Sequence, residues 1–223
     1  MATVNLMVAA SLIFTGVTAI GFDENMLEQE LDPLATKLAA ITGFDKDEVL
    51  YQVFGELQFI FTQTETNGYV CWSSLHCYGG KNPLVDPDAR GLLVHELGHR
   101  FLNDLNLPFH EMVMSVGYEQ DGRYVHVMGI NPKTWQYQRT AMGYPHPGQP
   151  YEQHGHLSPD YNTYKEDFAD TFMNWALGQC TNDTAGRLRC GWMDAFVKKH
   201  IKYATPKLAV AKYARRHPLV VLQ

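Results

Sequence analysis

The chain is 223 residues long, 45% hydrophobic and 12% aromatic, with a formal net charge of −6 at pH 7. That length can build one substantial core or two small lobes, and the apolar content fits a globular protein. The acidic balance and the lack of a long basic run argue against nucleic-acid binding, and no internal repeat or low-complexity tract is present.

Residues Val4 to Ile20 carry no charge. Two readings stay open for this stretch. It is a secretory signal ending in the small residues near Val17-Thr18-Ala19, although no lysine or arginine precedes it. Alternatively, its Val, Ile, Thr and Phe build the first strands of the domain. It is short and broken by Thr and Gly, so a stable membrane span is not expected. The chain therefore divides into residues 1–22, signal segment or first strands, and a single domain over 23–223.

Asp23 to Thr42 has a helical pattern interrupted by Pro33 and ending at Gly43. Asp45 can cap a second helix in which Leu50, Phe54, Leu57 and Phe61 recur at helical spacing, as core residues. Asn67-Gly68 is a turn signal, and Tyr69-Val70-Cys71-Trp72 begins a strand. The four cysteines fall into two local pairs, Cys71/Cys77 and Cys180/Cys190. Neither has the spacing of a structural zinc knuckle, and each can close a short loop as a disulfide. Two disulfides would place the chain in an extracytoplasmic or secreted setting; four reduced thiols would leave it cytoplasmic.

Asp88 to Leu105 reads as a helix, with Asp86-Pro87-Asp88 supplying a cap and a first-turn proline. Leu92, Leu93, Leu97, Phe101, Leu102 and Leu105 give it an apolar side. Gly98 lowers helix propensity, and a mid-helix glycine often admits another element. Within this helix stands His95-Glu96-Leu97-Gly98-His99, an HExxH motif. One turn separates the histidines, so both rings leave the same face and can grip one zinc ion, with Glu96 beside them as a proton carrier.

Two strands follow, Glu111 to Val116 and Tyr124 to Met128, around Gln120-Asp121-Gly122. Residues 131–160 form a long loop rich in Pro, Gly, Tyr and His, which usually signals function or mobility. Tyr144, His146, Tyr151, His154, His156, Tyr161 and Tyr164 cluster in and just after it. Of these, His154, His156, Tyr161 and Tyr164 are candidate oxyanion or substrate contacts. Tyr164 to Phe172 starts another helix, with Phe168, Phe172, Trp175 and Ala176 as its buried side and Gly178 near its end. Glu166 and Asp170 are four apart and share a face. Glu166 can complete the metal shell, and Asp170 can take a hydrogen bond from the outer nitrogen of His95 or His99. Asp167 points about 100° from Glu166 and is a competing ligand, as are His110, His154 and His156. Two helical stretches, Gly191 to Tyr203 and Pro206 to Arg216, close the chain. Lys198, Lys199 and Lys202 form a solvated face on the first.

The HELGH motif followed by a helix carrying Glu-x-x-x-Asp resembles the gluzincin metallopeptidases. The runs EDFADTFMNW and GRLRCGWMDAF are also similar to uncharacterised bacterial zincin-like proteins. The resemblance covers roughly 85–106 and 164–196 and departs from better-known gluzincins in the long interval between the two motifs. It implies an α+β, zincin-like fold, with a small mixed sheet packed on the HExxH helix and a mainly helical C-terminal part. It implies zinc ligands at His95, His99 and Glu166, Glu96 as the catalytic base and Asp170 as a supporting residue. A strand beside the active-site helix, along which an extended peptide could lie, belongs to the same implication. The metzincin pattern is excluded, because Leu102 and Leu105 stand where its glycine and third histidine belong.

The expected activity is hydrolysis of peptide bonds by a zinc-activated water, with a peptide or protein as substrate. Two alternatives are carried forward. One is an inactive zincin-like module that binds zinc and recognises a protein partner. The other is a zinc amidase of the deformylase type, with Cys71 as a metal ligand.

Overall fold

The computed structural model describes residues 12–66, 68–86, 90–105, 107, 115–138, 140, 142–144 and 163–216, the side chains at 163 and 202–216 excepted. It is an α+β arrangement of five helices and three small sheets. Strand β1 (Val17–Ile20) leads into helix α1 (Glu24–Thr42) and helix α2 (Lys46–Phe54). Strands β2 (Leu57–Gln63), β3 (Tyr69–Cys71) and β4 (His76–Gly79) precede helix α3 (Leu92–Leu105). A hairpin of β5 (Val116–Gln120) and β6 (Arg123–Met128) and a minimal pair, β7 (Ile130–Asn131) and β8 (Gln136–Tyr137), follow. Helices α4 (Thr163–Leu177) and α5 (Thr184–Arg216) come last. Among the described residues no helix is long and apolar enough to cross a membrane.

The main sheet has the order β1-β2-β4-β3. Its first two ladders are parallel, with Val17 opposite Leu57 and Ile60 opposite His76, and β3 runs antiparallel to β4. Residues 17–20, left above between a signal and a strand, are thus a sheet strand. The rest of that stretch, 1–11, lies outside the described residues. At the other border, β3 is an edge strand, and it lies beside α3.

Helix α1 begins where the Asp23 side chain accepts from the Met26 amide and ends at Gly43, whose φ of 73° suits glycine. It buries Leu27, Leu31, Leu34, Ala35 and Leu38, one face at helical spacing. The helix runs through Pro33 without a break. The carbonyl that the proline leaves without an amide partner belongs to solvent-exposed Gln29, while Leu31 and Leu34 hold the flanks in the core. The second helix stops at Gly55, so Leu57 and Phe61 lie on a strand and not on the helix expected from spacing. In Leu57-Gln58-Phe59 the buried and exposed side chains alternate, and this period of two overrides the weaker helical match.

Helix α3 starts at Leu92, not Asp88; Pro87 and Asp88 lie outside the described residues. Its first turn is met from a distant element: the buried Glu30 carboxylate on α1 lies against the Gly91 and Leu93 amides. At the neighbouring helix, Lys37 donates to the Trp175 carbonyl near the C-terminal end of α4 and lies 5.1 Å from the centre of the Trp175 ring. Glu30 and Lys37 are seven apart on one face of α1. One helix thus places an anion at the positive end of α3 and a cation at the negative end of α4.

Gly98 explains the close approach of α3 and α4. A Cβ there would lie 3.0 Å from the Ala169 Cα and 3.1 Å from the Phe172 Cβ, too tight without a shift. Phe101 stacks on Phe172, with ring centroids 5.6 Å apart, and extends the same seam. Two disulfides staple the ends of this core: Cys71–Cys77, across directly paired residues of β3 and β4, and Cys180–Cys190 at the start of α5. The C-terminal segment is one helix from Thr184 to Arg216, not two. Lys198 and Lys199 are exposed on it as expected, and the Lys202 side chain lies outside the described residues.

Candidate metal centre

Helix α3 supplies His95 and His99, and α4 supplies Glu166. The Nε2 atoms of His95 and His99 are 3.1 Å apart. Glu166 Oε2 lies 3.1 Å from the His99 Nε2 and 3.3 Å from the His95 Nε2. These three residues are a group able to hold a metal ion. The spacing is informative. A tetrahedral site with bonds of about 2.0–2.1 Å has ligand atoms about 3.3–3.4 Å from one another. All three edges of the observed triangle fall within a few tenths of an ångström of that value.

Chemistry points the same way. Two imidazole nitrogens and a carboxylate oxygen can each offer a lone pair to one shared cation. The His95 ring reports the charge around it. Burial opposes its charged form, yet the carboxylates of Asp170, Glu166 and Glu96 outweigh burial and push its pKa up to about 10. Asp170 does this from the far side of the ring, with Oδ1 2.7 Å from the His95 Nδ1 and no solvent exposure of either side chain. That contact fixes the ring so that Nε2 faces Glu166 and His99. The sequence assignment of Asp170 as a support for His95 or His99 resolves to His95.

Glu96 is buried on α3, with 5% exposure, and lines a cleft of about 380 Å³ together with His99 and Glu166. The opposite wall is the edge of the sheet: Val70, Cys71, Trp72 and Ser73. Asn103 and Lys165 complete the lining.

The competing ligands fare differently. Asp167 faces away from the centre and is fully buried. Its Oδ1 lies 2.9 Å from the Arg189 Nη1 and 2.7 Å from the Tyr144 hydroxyl, and Oδ2 lies 2.5 Å from the Tyr137 hydroxyl. Three donors already hold its carboxylate, so it is not a metal ligand. Cys71 is bonded to Cys77 and has no thiolate to offer a metal. Tyr164 is buried in the core beside Tyr137 and does not line the cleft. His110, His154, His156 and Tyr161 lie outside the described residues, as does the strand expected over 111–114.

The strand expected from Tyr69 to Trp72 beside the active-site helix does line the cleft, whereas sequence reasoning missed Ser73, Asn103 and Lys165. Asn103 carried a signal, since it continues the face of Glu96 and His99 at helical spacing. Lys165 was visible only as the neighbour of Glu166. Arg189, the cation that ties Asp167, left no trace in local sequence. Comparison with known protein families, curated proteins and solved structures returns no match, so the reading of this centre rests on its own residues.

Proposed function

We propose that the chain is a zinc-dependent peptide hydrolase with a zincin-like centre. The observation that carries this is the His95–His99–Glu166 triangle, with the carboxylate of Glu96 in the adjoining cleft. Two imidazoles and one carboxylate form a ligand set of catalytic zinc, which leaves a coordination position for substrate or water. When bound, the cation supplies Lewis acidity, lowering the pKa of a water and polarising a carbonyl oxygen.

The protein's residues carry the remaining work. Glu96 accepts the proton of the attacking water and returns it to the leaving nitrogen. Asp170 holds His95 in one tautomer. Edge strand β3 borders the cleft, the place an extended peptide laid against a sheet edge would occupy. A general base beside the ligands separates this reading from a purely structural zinc site, which has no use for one. The two disulfides support an extracytoplasmic setting for the activity.

The test combines metal analysis with Glu96→Gln. The parent and the variant should each carry one zinc per chain. Hydrolysis of a mixed peptide library should fall by about 10²–10⁴-fold in the variant. A variant as active as the parent removes Glu96 from the mechanism, and a chain that takes up no zinc removes the hydrolase reading altogether.

A further inference from the structure

Lys165 stands in the first turn of α4, next to Glu166, and its side chain lines the same cleft as Glu96 and His99. Among the described residues it is the single lysine or arginine lining that cleft; the carboxylates beside it are Glu96 and Glu166. Among the described residues it makes no hydrogen bond or ion pair. Other surface cations of the chain do have such partners: Lys46 with Asp32, Lys81 with Asp86 and Lys198 with Asp194. The positive end of the α4 dipole adds to the ammonium charge at this place. Neutral Asn103 lies on the same lining and can donate from its amide. The same cleft is lined by Val70 on the edge strand and Trp72 just past its end, each 54% exposed. The cleft is thus apolar along the sheet edge and cationic at the start of α4.

We infer that Lys165 selects substrate, taking a carboxylate of a peptide whose apolar side chain rests on Val70 and Trp72. This deepens the hydrolase reading and rests on it. The carboxylate has two sources in a peptide, an Asp or Glu side chain or the chain terminus, and both present the same chemistry to an ammonium.

Binding tests this without relying on turnover. The zinc-loaded Glu96→Gln protein is titrated with fluorescent heptapeptides, each with one Trp and with Glu or Gln placed at each position in turn. Each is made with a free and an amidated C-terminus. At low salt the best Glu or free-acid peptide should bind about tenfold more tightly than its uncharged partner, a preference that fades as salt rises. The side-chain and terminus arms show which source is used. Adding Lys165→Met should bring each pair within about twofold, and Lys165→Glu should turn the preference towards a Lys-containing peptide. A preference that survives Lys165→Met overturns the inference, as does equal binding of acid and amide peptides or no binding of either. Failure of the parent to cleave a peptide that the variant binds selectively would instead count against the hydrolase reading and leave Lys165 in its role.

Discussion

Glu166 and Asp167 are consecutive residues of one helix, and they meet opposite worlds. Around Asp167 every neighbour donates: the Arg189 guanidinium, the Tyr137 and Tyr144 hydroxyls, all in a sealed pocket. That cluster carries its own cation and is electrostatically complete. Arg189 also donates to the carbonyls of Val127, Thr140 and Met142, so it ties the hairpin and the following loop to α4. Around Glu166 the neighbours are imidazole nitrogens and the cleft. That group is able to hold a cation. A buried carboxylate with its own cation is architecture, and a partly exposed carboxylate beside two imidazoles is a candidate ligand for one.

The largest effect should come from the complete cluster. Arg189→Met leaves Asp167 buried without its cation and should cost about 3–5 kcal/mol in chemical denaturation. Adding Asp167→Leu should recover part of that loss, because a matched apolar replacement of a buried pair is often tolerated. The folded fraction of either variant should still bind one zinc per chain. Loss of zinc from a well-folded Arg189→Met protein would erase the distinction drawn between the two carboxylates.

At the Glu166 side the order reverses, with small effects on folding and large ones on metal. Glu166→Ala should weaken zinc more than about 100-fold, beyond the 10–100-fold typical of a ligand's hydrogen-bonding partner. The melting temperature in chelator should stay close to that of the parent. Asp170→Asn should weaken zinc by less, within that 10–100-fold range, since the amide still accepts from the His95 ring but without charge. Calorimetric titration with zinc after chelation ranks the two. An Asp170→Asn protein worse than Glu166→Ala would exchange their roles.

How far the sequence foretold this follows from the range of each interaction. The HExxH pair and the Glu166/Asp170 pair are spaced by single helical turns, so local geometry alone aligns each pair. Their meeting depended on Gly98, whose missing side chain was legible as a place of close approach although its partner was not. Both local cysteine pairs close as disulfides for the same reason of short range. The helix pattern misled at Leu57 and Phe61, where Gly55 and a strand period intervened, and at Pro33, where core packing on both flanks carried the helix through. What stayed hidden is long-range: Arg189 reaches Asp167 across 22 positions, and Glu30 reaches the start of α3 from another helix. Lys165 became informative only once β3 stood opposite it.

Glu30 is a third kind of carboxylate, between the two just compared, and yields the smallest predicted effect. It has donors, the Gly91 and Leu93 amides and the charge of Arg90, but they do not match its burial. Burial outweighs them and lifts its pKa from 4.5 to about 7. The folded state therefore binds this proton more tightly than the unfolded chain, and stability from this group grows as pH falls from about 7 towards 4.5. Above pH 7 the ionised group retains its amide bonds at the expense of desolvation. Glu30→Gln removes the titration but leaves an acceptor for one amide. Compared with the parent in chelator, it should flatten the stability profile between pH 5 and pH 8 by about 1 kcal/mol or more, with the two curves converging at the acid end, where Glu30 is protonated and as neutral as Gln. Titrations of His95 and other groups occur in both proteins and cancel in the difference. An unchanged slope would mean that Glu30 is satisfied as fully as Asp167, and the gradation among the three carboxylates would reduce to two classes.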